Sequence, residues 1–469
     1  MGCDCLWRSH PTTNLYSLQS RRLTLEMNIL HSVRSLALTC FFFSIANTAQ
    51  AATFTTFASG LNNARGLAFG PDGELYVAEA GIGGGSTSPN SIPSPNMPGF
   101  DLYLGNTGAI SKVSQDGTVT PVLTGLSSVA LAEGSNAVGP QDIAFDAFGT
   151  PYIVYGSVGD PARRDQTLNA LAGNPYSENE VLGISEFGSL YQANFATGEL
   201  TQLADLAAYE LQNNPTGGDI DSNPNSLAIN GETIYITDSG ANNLFAYSLR
   251  ENQLSLEAIF EPEIVSFESL LFPEGLGPPP AAPNDPTQAP ETEEPSFALQ
   301  YVPTGVAVGG DGNLYVAEFG GFPFPQGKSE ITQIDANAQQ TTFASGLIQL
   351  TDVAFAPNGK AYATVLASES LVLGGDRGKV VEIDTDGAVR TILDGNEVDG
   401  VELLVNLTVG TDGLVYVAGR GNGPDSTIFQ IDPEGDAVDI PEPNTAPVVL
   451  IWGLLGTGYF VFKRKQTAA

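Results

Sequence analysis

The stretch GPDGELYVAEAG at residues 70–81 returns as GGDGNLYVAEFG at residues 309–320, with nine of the twelve positions unchanged. Repetition at this level is a statement about architecture before it is one about chemistry. The two stretches belong to a set of six. The cores run over 66–81, 142–157, 226–240, 305–320, 352–367 and 406–421. Each holds a short apolar run, a turn, and a second run carrying a tyrosine: Tyr76, Tyr152, Tyr235, Tyr315, Tyr362 and Tyr416. The turns are rich in Gly with Asp or Asn. Asp-Gly and Asn-Gly between apolar runs are hairpin signals that predict positive φ at both turn residues. The runs are too short for helices and rich in Val, Ile and Tyr.

Two further strand-like runs follow each hairpin, as in AISKVSQDGTVTPVLTGL at 109–126 and KVVEIDTDGAVRTILDGN at 379–396. Each unit therefore reads as a four-stranded meander, the blade of a propeller. The core starts lie 76, 84, 79, 47 and 54 residues apart, so the first three units carry insertions. The sixth unit has a third strand (426–435) and no fourth. TFTTFASGL at 53–61 is almost a copy of QTTFASGL at 340–347, which is a fourth strand. The expected fold is an all-β six-bladed β-propeller over 52–440, its ring closed by the first strand of the mature chain in the last blade. Such closure removes an exposed sheet edge. A β-solenoid is disfavoured by the hairpin turns, and a pair of β-sandwiches by the borrowed strand.

Both ends read as processing signals. Residues 27–51 hold one basic residue, an apolar core and Ala49-Gln50-Ala51, the pattern of a cleaved secretory signal peptide. Residues 1–26 precede a plausible start at Met27 and read as an extension of the gene model. At the far end, Pro441-Glu442-Pro443 precedes an uncharged apolar run (446–462) and then Lys463, Arg464 and Lys465. The run is at the short limit for a membrane span, and the basic cluster would stay cytoplasmic. This tail resembles the PEP-CTERM sorting signal. The resemblance implies export across the inner membrane, at least transient anchoring through the C-terminal segment alone, and an exosortase-type enzyme as partner.

Composition narrows the chemistry. The only cysteines are Cys3, Cys5 and Cys40 and the only histidines His10 and His31, all before the cleavage site. The mature chain is thereby denied disulfides, thiol nucleophiles, Ser-His-Asp triads and the usual zinc and haem ligands. The formal charge is −35; seven of the 18 basic residues and three of the 53 acidic ones fall outside 52–440, leaving 11 against 50, a net charge near −39. That field repels nucleic acid and suits divalent cations and neutral or cationic small molecules.

One face of the ring collects the starts of first strands and the ends of second strands. The candidate ligand or metal residues there are Arg65, Gln141, Asp142, Asn225, Asp352 and Asn406 at the former, and Glu79, Asp238 and Glu318 at the latter. Insertions at about 82–107 and 157–187 reach the same face, where propeller loops often bind. A Pro- and Glu-rich insertion at about 261–302 reads as a mobile polar loop. GDIDSNPNS (218–226) sets Asp219, Asp221 and Asn223 at alternate positions like the start of a calcium loop, without the closing Glu or the flanking helices of an EF-hand.

NNARGLAFGPDGELYVAEAG (62–81), IYITDSGANNLFAYS (234–248) and YVPTGVAVGGDGNLYVAEFGG (301–321) together resemble the ScyD/ScyE family of exported cyanobacterial propellers, over about 52–435. The second stretch is also similar to the NHL repeat. The family's Asn-Pro-Tyr-Gly is replaced here by Asn223-Pro224-Asn225-Ser226. The resemblance implies an envelope protein connected with scytonemin or sheath metabolism and supplies no biochemical activity. Two functions stay open: a binding or scaffold propeller, and a calcium-dependent lactonase of the gluconolactonase type, whose Glu, Asn and Asp ligands would be Glu79, Asn225, Asp238 and Glu318. A quinone-dependent sugar dehydrogenase needs a His base and is excluded.

Overall fold

The computed structural model describes residues 52–435, apart from 87, 89–90, 95–99, 158, 163, 165–185, 273–295 and 422. The signal peptide with Ala49 and Ala51, and the sorting signal with Pro441, Glu442, Pro443, Lys463, Arg464 and Lys465, lie outside the described residues.

The chain is a six-bladed β-propeller. Blade one is Ala64–Phe69, Leu75–Glu79, Asp101–Val113 and Val119–Ala130. Blade two is Pro140–Phe145, Pro151–Tyr155, Ser189–Asn194 and Glu199–Asp205. Blade three is Pro224–Asn230, Thr233–Asp238, Asn243–Ser248 and Gln253–Ile259. Blade four is Tyr301–Val308, Leu314–Gly320, Ser329–Ile334 and Gln340–Leu347. Blade five is Leu350–Phe355, Ala361–Val365, Lys379–Ile383 and Val389–Asp394. Blade six takes Asn406–Val409, Val415–Gly419 and Pro424–Asp432 from its own end of the chain, and Thr53–Asn62 from the other. The borrowed strand runs antiparallel to the third, from Thr53 opposite Asp432 to Asn62 opposite Pro424. Each first strand touches the first strands of the blades before and after it, and the sixth touches the first, so the ring is complete.

The repeated GxDGxxY core now has a mechanical reading. Gly73 donates to Gly70 O at 3.0 Å and adopts φ +78°, whereas Asp72 keeps an ordinary φ. Gly312, Gly359 and Gly413 repeat this. The turns are thus type I followed by one left-handed glycine, not the expected pair of positive-φ residues. The Asp is freed for another task. Asp72 accepts from Tyr76 Oη at 3.1 Å and Asp311 from Tyr315 Oη at 3.0 Å, tying the turn to the strand that leaves it. The tyrosine rings then pack on the next blade: Tyr76 on Phe145 at 4.8 Å, Tyr315 on Phe355 at 4.6 Å, Tyr416 on Phe69 at 5.2 Å.

Two insertions differ from expectation. The one after the second strand of blade one is partly strand, because the third strand already begins at Asp101 and a short strand, Ser91–Pro93, pairs with it. The supposed mobile loop after blade three begins and ends as an antiparallel ribbon, Glu263–Ser266 with Ser296–Leu299. A helix that the sequence reading did not foresee, α1 (Leu206–Asn213), follows blade two. Asp205 caps it by accepting from Ala208 N at 2.8 Å, and Asn214 ends it at φ 38°. Among the described residues no helix is long and apolar enough to cross a membrane.

Candidate functional site

The first strands set two polar levels around the axis. The outer level, at the mouth, is Arg65, Gln141, Asn225, Thr304, Thr351 and Val405, one residue from each blade. Gln141 Nε2 donates to Asn225 Oδ1 at 2.6 Å, and Asn225 Nδ2 to Thr304 O at 2.9 Å. Thr304 Oγ1 donates to Leu350 O at 2.9 Å and Thr351 Oγ1 to Leu404 O at 3.0 Å. Arg65 closes the circuit, donating to Ala137 O at 2.9 Å on one side and to Gly421 O on the other. Its guanidinium is buried without a carboxylate partner, which lowers its pKa to about 10.

The next level is Gly66, Asp142, Ser226, Gly305, Asp352 and Asn406. Here each polar side chain accepts from a backbone N–H of the following blade. Leu227 N donates to Asp142 Oδ2 at 2.8 Å, Val306 N to Ser226 Oγ at 3.4 Å, Leu407 N to Asp352 Oδ2 at 3.0 Å and Leu67 N to Asn406 Oδ1 at 2.9 Å. Where the next blade presents an Asp, the position is glycine. A Cβ on Gly66 would stand 1.7 Å from Asp142 Oδ1, and one on Gly305 2.3 Å from Asp352 Oδ1. The order Gly-Asp-Ser, Gly-Asp-Asn is a three-blade pattern written twice. This accounts for the glycine that blades one and four share at this position: both precede a blade whose buried Asp needs their empty Cβ position. Burial raises the Asp142 pKa to about 7, and burial with the charge of Asp142 raises Asp352 well above the carboxylate range.

Arg65, Gln141, Asn225 and Asn406 do converge, lining a cavity at the mouth. Its volume is about 20 Å³, room for roughly one or two waters. Their polar groups are largely committed to holding blades together.

Glu79, Asp238 and Glu318 do not meet over the axis. Glu79 accepts from Asn62 N at 2.7 Å and from Ser111 Oγ. Asp238 accepts from Asn223 N at 2.7 Å, from Gly240 N and Ala241 N at 3.1 Å, and from Ser222 Oγ at 2.7 Å. Glu318 is buried with Oε1 unpartnered, and burial raises its pKa to about 8. The alternating set of the calcium-like loop also parts company: Asp219 is exposed, Asp221 turns inward, and Asn223 Oδ1 accepts from Ser157 N at 3.1 Å. Among the described residues no group of three or more His, Cys, Asp and Glu side chains is gathered to hold a metal ion.

A larger cavity, about 480 Å³, lies between blades three and four. Ligand sites begin at roughly 300 Å³. Its apolar lining includes Phe260, Phe297 and Phe322, and its acidic lining Asp219, Asp221 and Glu261; among the described residues no Lys or Arg lines it. Phe272 braces two of the rings, with centroids 6.1 Å from Phe297 and 5.9 Å from Phe322. The sequence reading missed this cavity, because it is made by segments from 216–221 and 260–300 that carry no shared motif. The acidic loop at 218–226 was its one visible sign.

No protein-family model matches the chain, and no curated protein does. Solved structures similar to it include a gluconolactonase from Xanthomonas campestris (13% identity, TM-score 0.46, covering 83% of this chain and 93% of that one). A glucose dehydrogenase (12%, 0.43, 81% and 99%) and a streptogramin B lyase (12%, 0.39, 81% and 98%) are similar at the same level.

Proposed function

We propose that the protein is an exported binding propeller whose ligand is a flat aromatic molecule, neutral or cationic, held in the cavity between blades three and four. The observation that carries this reading is the lining of that cavity: three phenylalanines and three carboxylates, and among the described residues no basic one. Aromatic faces and carboxylates both attract cations, and the chain's net charge of −35 concentrates them near its surface. The mouth of the ring, which holds Asn225 of the lactonase set, has a cavity of about 20 Å³, and the Asn225 amide is already bonded to Gln141 and to Thr304 O. The resemblance to the ScyD/ScyE propellers, whose pathway handles indolic and phenolic compounds, points to the same ligand class. Export and sorting through residues 27–51 and 441–465 belong to this reading; the intact mass of protein from its native host tests them, with a mass that retains 446–462 refuting removal of the tail.

Calorimetric titration of the full chain with tryptamine, indole and indole-3-acetate tests the ligand. Tryptamine is expected to bind best, indole more weakly and the anion weakest, with Phe322→Ala weakening tryptamine at least tenfold. Absence of tryptamine binding at millimolar concentration, or binding indifferent to Phe322→Ala, overturns the reading. Calcium-dependent hydrolysis of gluconolactone lost in Asn225→Ala would put the lactonase in its place.

A further inference from the structure

A second cluster of polar groups lies beneath that cavity, between α1 and blade three. Glu210 is fully buried on α1, and neither of its carboxylate oxygens has a hydrogen-bond partner. Asp221, 9% exposed, lines the cavity and keeps Oδ1 buried and unpartnered. Asn243 is fully buried, with both its Oδ1 and its Nδ2 unpartnered.

Strand register and helix packing bring these groups to one place. Asn243 stands directly opposite Asp238 in the antiparallel pair, and Phe245 opposite Ile236. Residues paired in this way project from the same face, and so do residues two apart on a strand. Phe245 on that face meets Tyr209 of α1 at 5.1 Å, and Leu206, one turn before Glu210, packs in the same core cluster. Asp238 and Asp221 act electrostatically on Glu210, and Asp238, Asp160 and Asp219 act on Asp221. Among the described residues, the largest charged influences on both are carboxylates.

Three buried polar groups without partners are costly, since each forgoes the hydrogen bonds that water would give it. Oxygen is the only donor element the set offers to a cation. Hard divalent cations take six to eight oxygens, carboxylate and amide carbonyl among them, and retain water or backbone carbonyls for the rest. We propose that Glu210, Asp221 and Asn243 Oδ1 ligate one calcium ion. Asp238, held in place by three backbone N–H groups and Ser222, is the fixed anion behind it. The ion would lock α1 and the 216–221 segment to blade three, and so shape the floor of the cavity. The proposal stands whatever the cavity holds.

The test is calorimetric titration of calcium chloride into the full chain, stripped with chelator, in 150 mM sodium chloride, alongside thermal melts. One calcium per chain and a raised melting temperature are expected. Glu210→Gln keeps the shape and relieves charge, so it should fold; it is expected to weaken calcium at least tenfold and to remove the thermal shift. Asn243→Ala, read the same way, serves as a second variant. Glu251→Gln, an exposed acid, should change neither. No calcium binding by the stripped wild type overturns the proposal. So does a calcium response that survives in Glu210→Gln and Asn243→Ala, which would assign the effect to the acidic surface. Tryptamine binding by the Glu210→Gln variant reports separately on the cavity.

Discussion

Replacing Asp142 by Asn probes the polar levels that close the ring. The carboxyl of Asp142 is buried, and its pKa rises from 3.8 to about 7. The unfolded chain therefore loses this proton near pH 4 while the folded chain retains it to about pH 7. Between these values the folded state binds more protons, so stability falls as pH rises. The loss is complete above about pH 7. Three pH units at about 1.4 kcal/mol each give a ceiling of about 4 kcal/mol. The same position in blade six already uses an amide, Asn406, to accept from Leu67 N at 2.9 Å. The amide of the Asp142→Asn variant can hold Leu227 N in the same way, giving up the 2.8 Å bond from Ile143 N, which is worth about 1 kcal/mol. At pH 5, about one unit above the unfolded pKa, wild type has already lost about 1.6 kcal/mol, so the variant should match it or exceed it by about 0.5 kcal/mol. At pH 8 it should be stronger by roughly 2–3 kcal/mol, the ceiling less the lost bond. Urea unfolding at both pH values, with chelator present, measures this directly. A stability difference that does not change between pH 5 and 8 would refute the reasoning, because the buried hydrogen bonds would then fully offset the cost of burying the charge.

Three further outcomes follow from the same packing. Gly66→Ala forces a Cβ to 2.6 Å from the Asp142 Cα and should cost about 3 kcal/mol or more, whereas Gly310→Ala, with nothing within 4 Å, should stay within about 0.5 kcal/mol in urea melts. Deleting residues 52–61 removes buried Phe54, Ala58 and Leu61 and most of the pairing with blade six; a loss of about 5 kcal/mol or more is expected, and an unchanged midpoint would mean another segment closes the ring. Glu318→Gln should stabilise by about 2 kcal/mol at pH 6 and by about 4–5 kcal/mol at pH 9, since the unfolded carboxyl loses its proton near pH 4.5 and the buried one only near pH 8; equal gains at both values contradict this.

The ring and its closure were readable because each blade repeats a local signal. The Asp-Gly turns, the Tyr four residues on, and the near-identity of 53–61 with 340–347 all act within a few residues of chain. The polar levels were readable only by position. That Asp142 and Asp352 face the axis follows from strand period. That they accept from Leu227 N and Leu407 N depends on how closely neighbouring blades approach, which no single blade encodes. The loop at 218–226 shows the same limit. Residues two apart share a side only on an extended segment. The chain bends through 217–219, so Asp219 stays exposed while Asp221 Oδ1 is buried. Glu210 itself sits in LAAYELQN, a stretch with no metal-binding spacing, and Asn243 lies 33 residues further on. Only the helix packed on the sheet brings them together. The cavity is assembled from insertions, where chain length varies freely and periodicity gives no guide.

The most direct test of the binding function is a crystal structure of the protein grown with tryptamine and calcium. The ring of the ligand is expected between Phe297 and Phe322, its ammonium group toward Asp219 and Glu261. A ligand seated instead over Gln141 and Asn225 at the mouth of the ring, with the cavity between blades three and four empty, would contradict it.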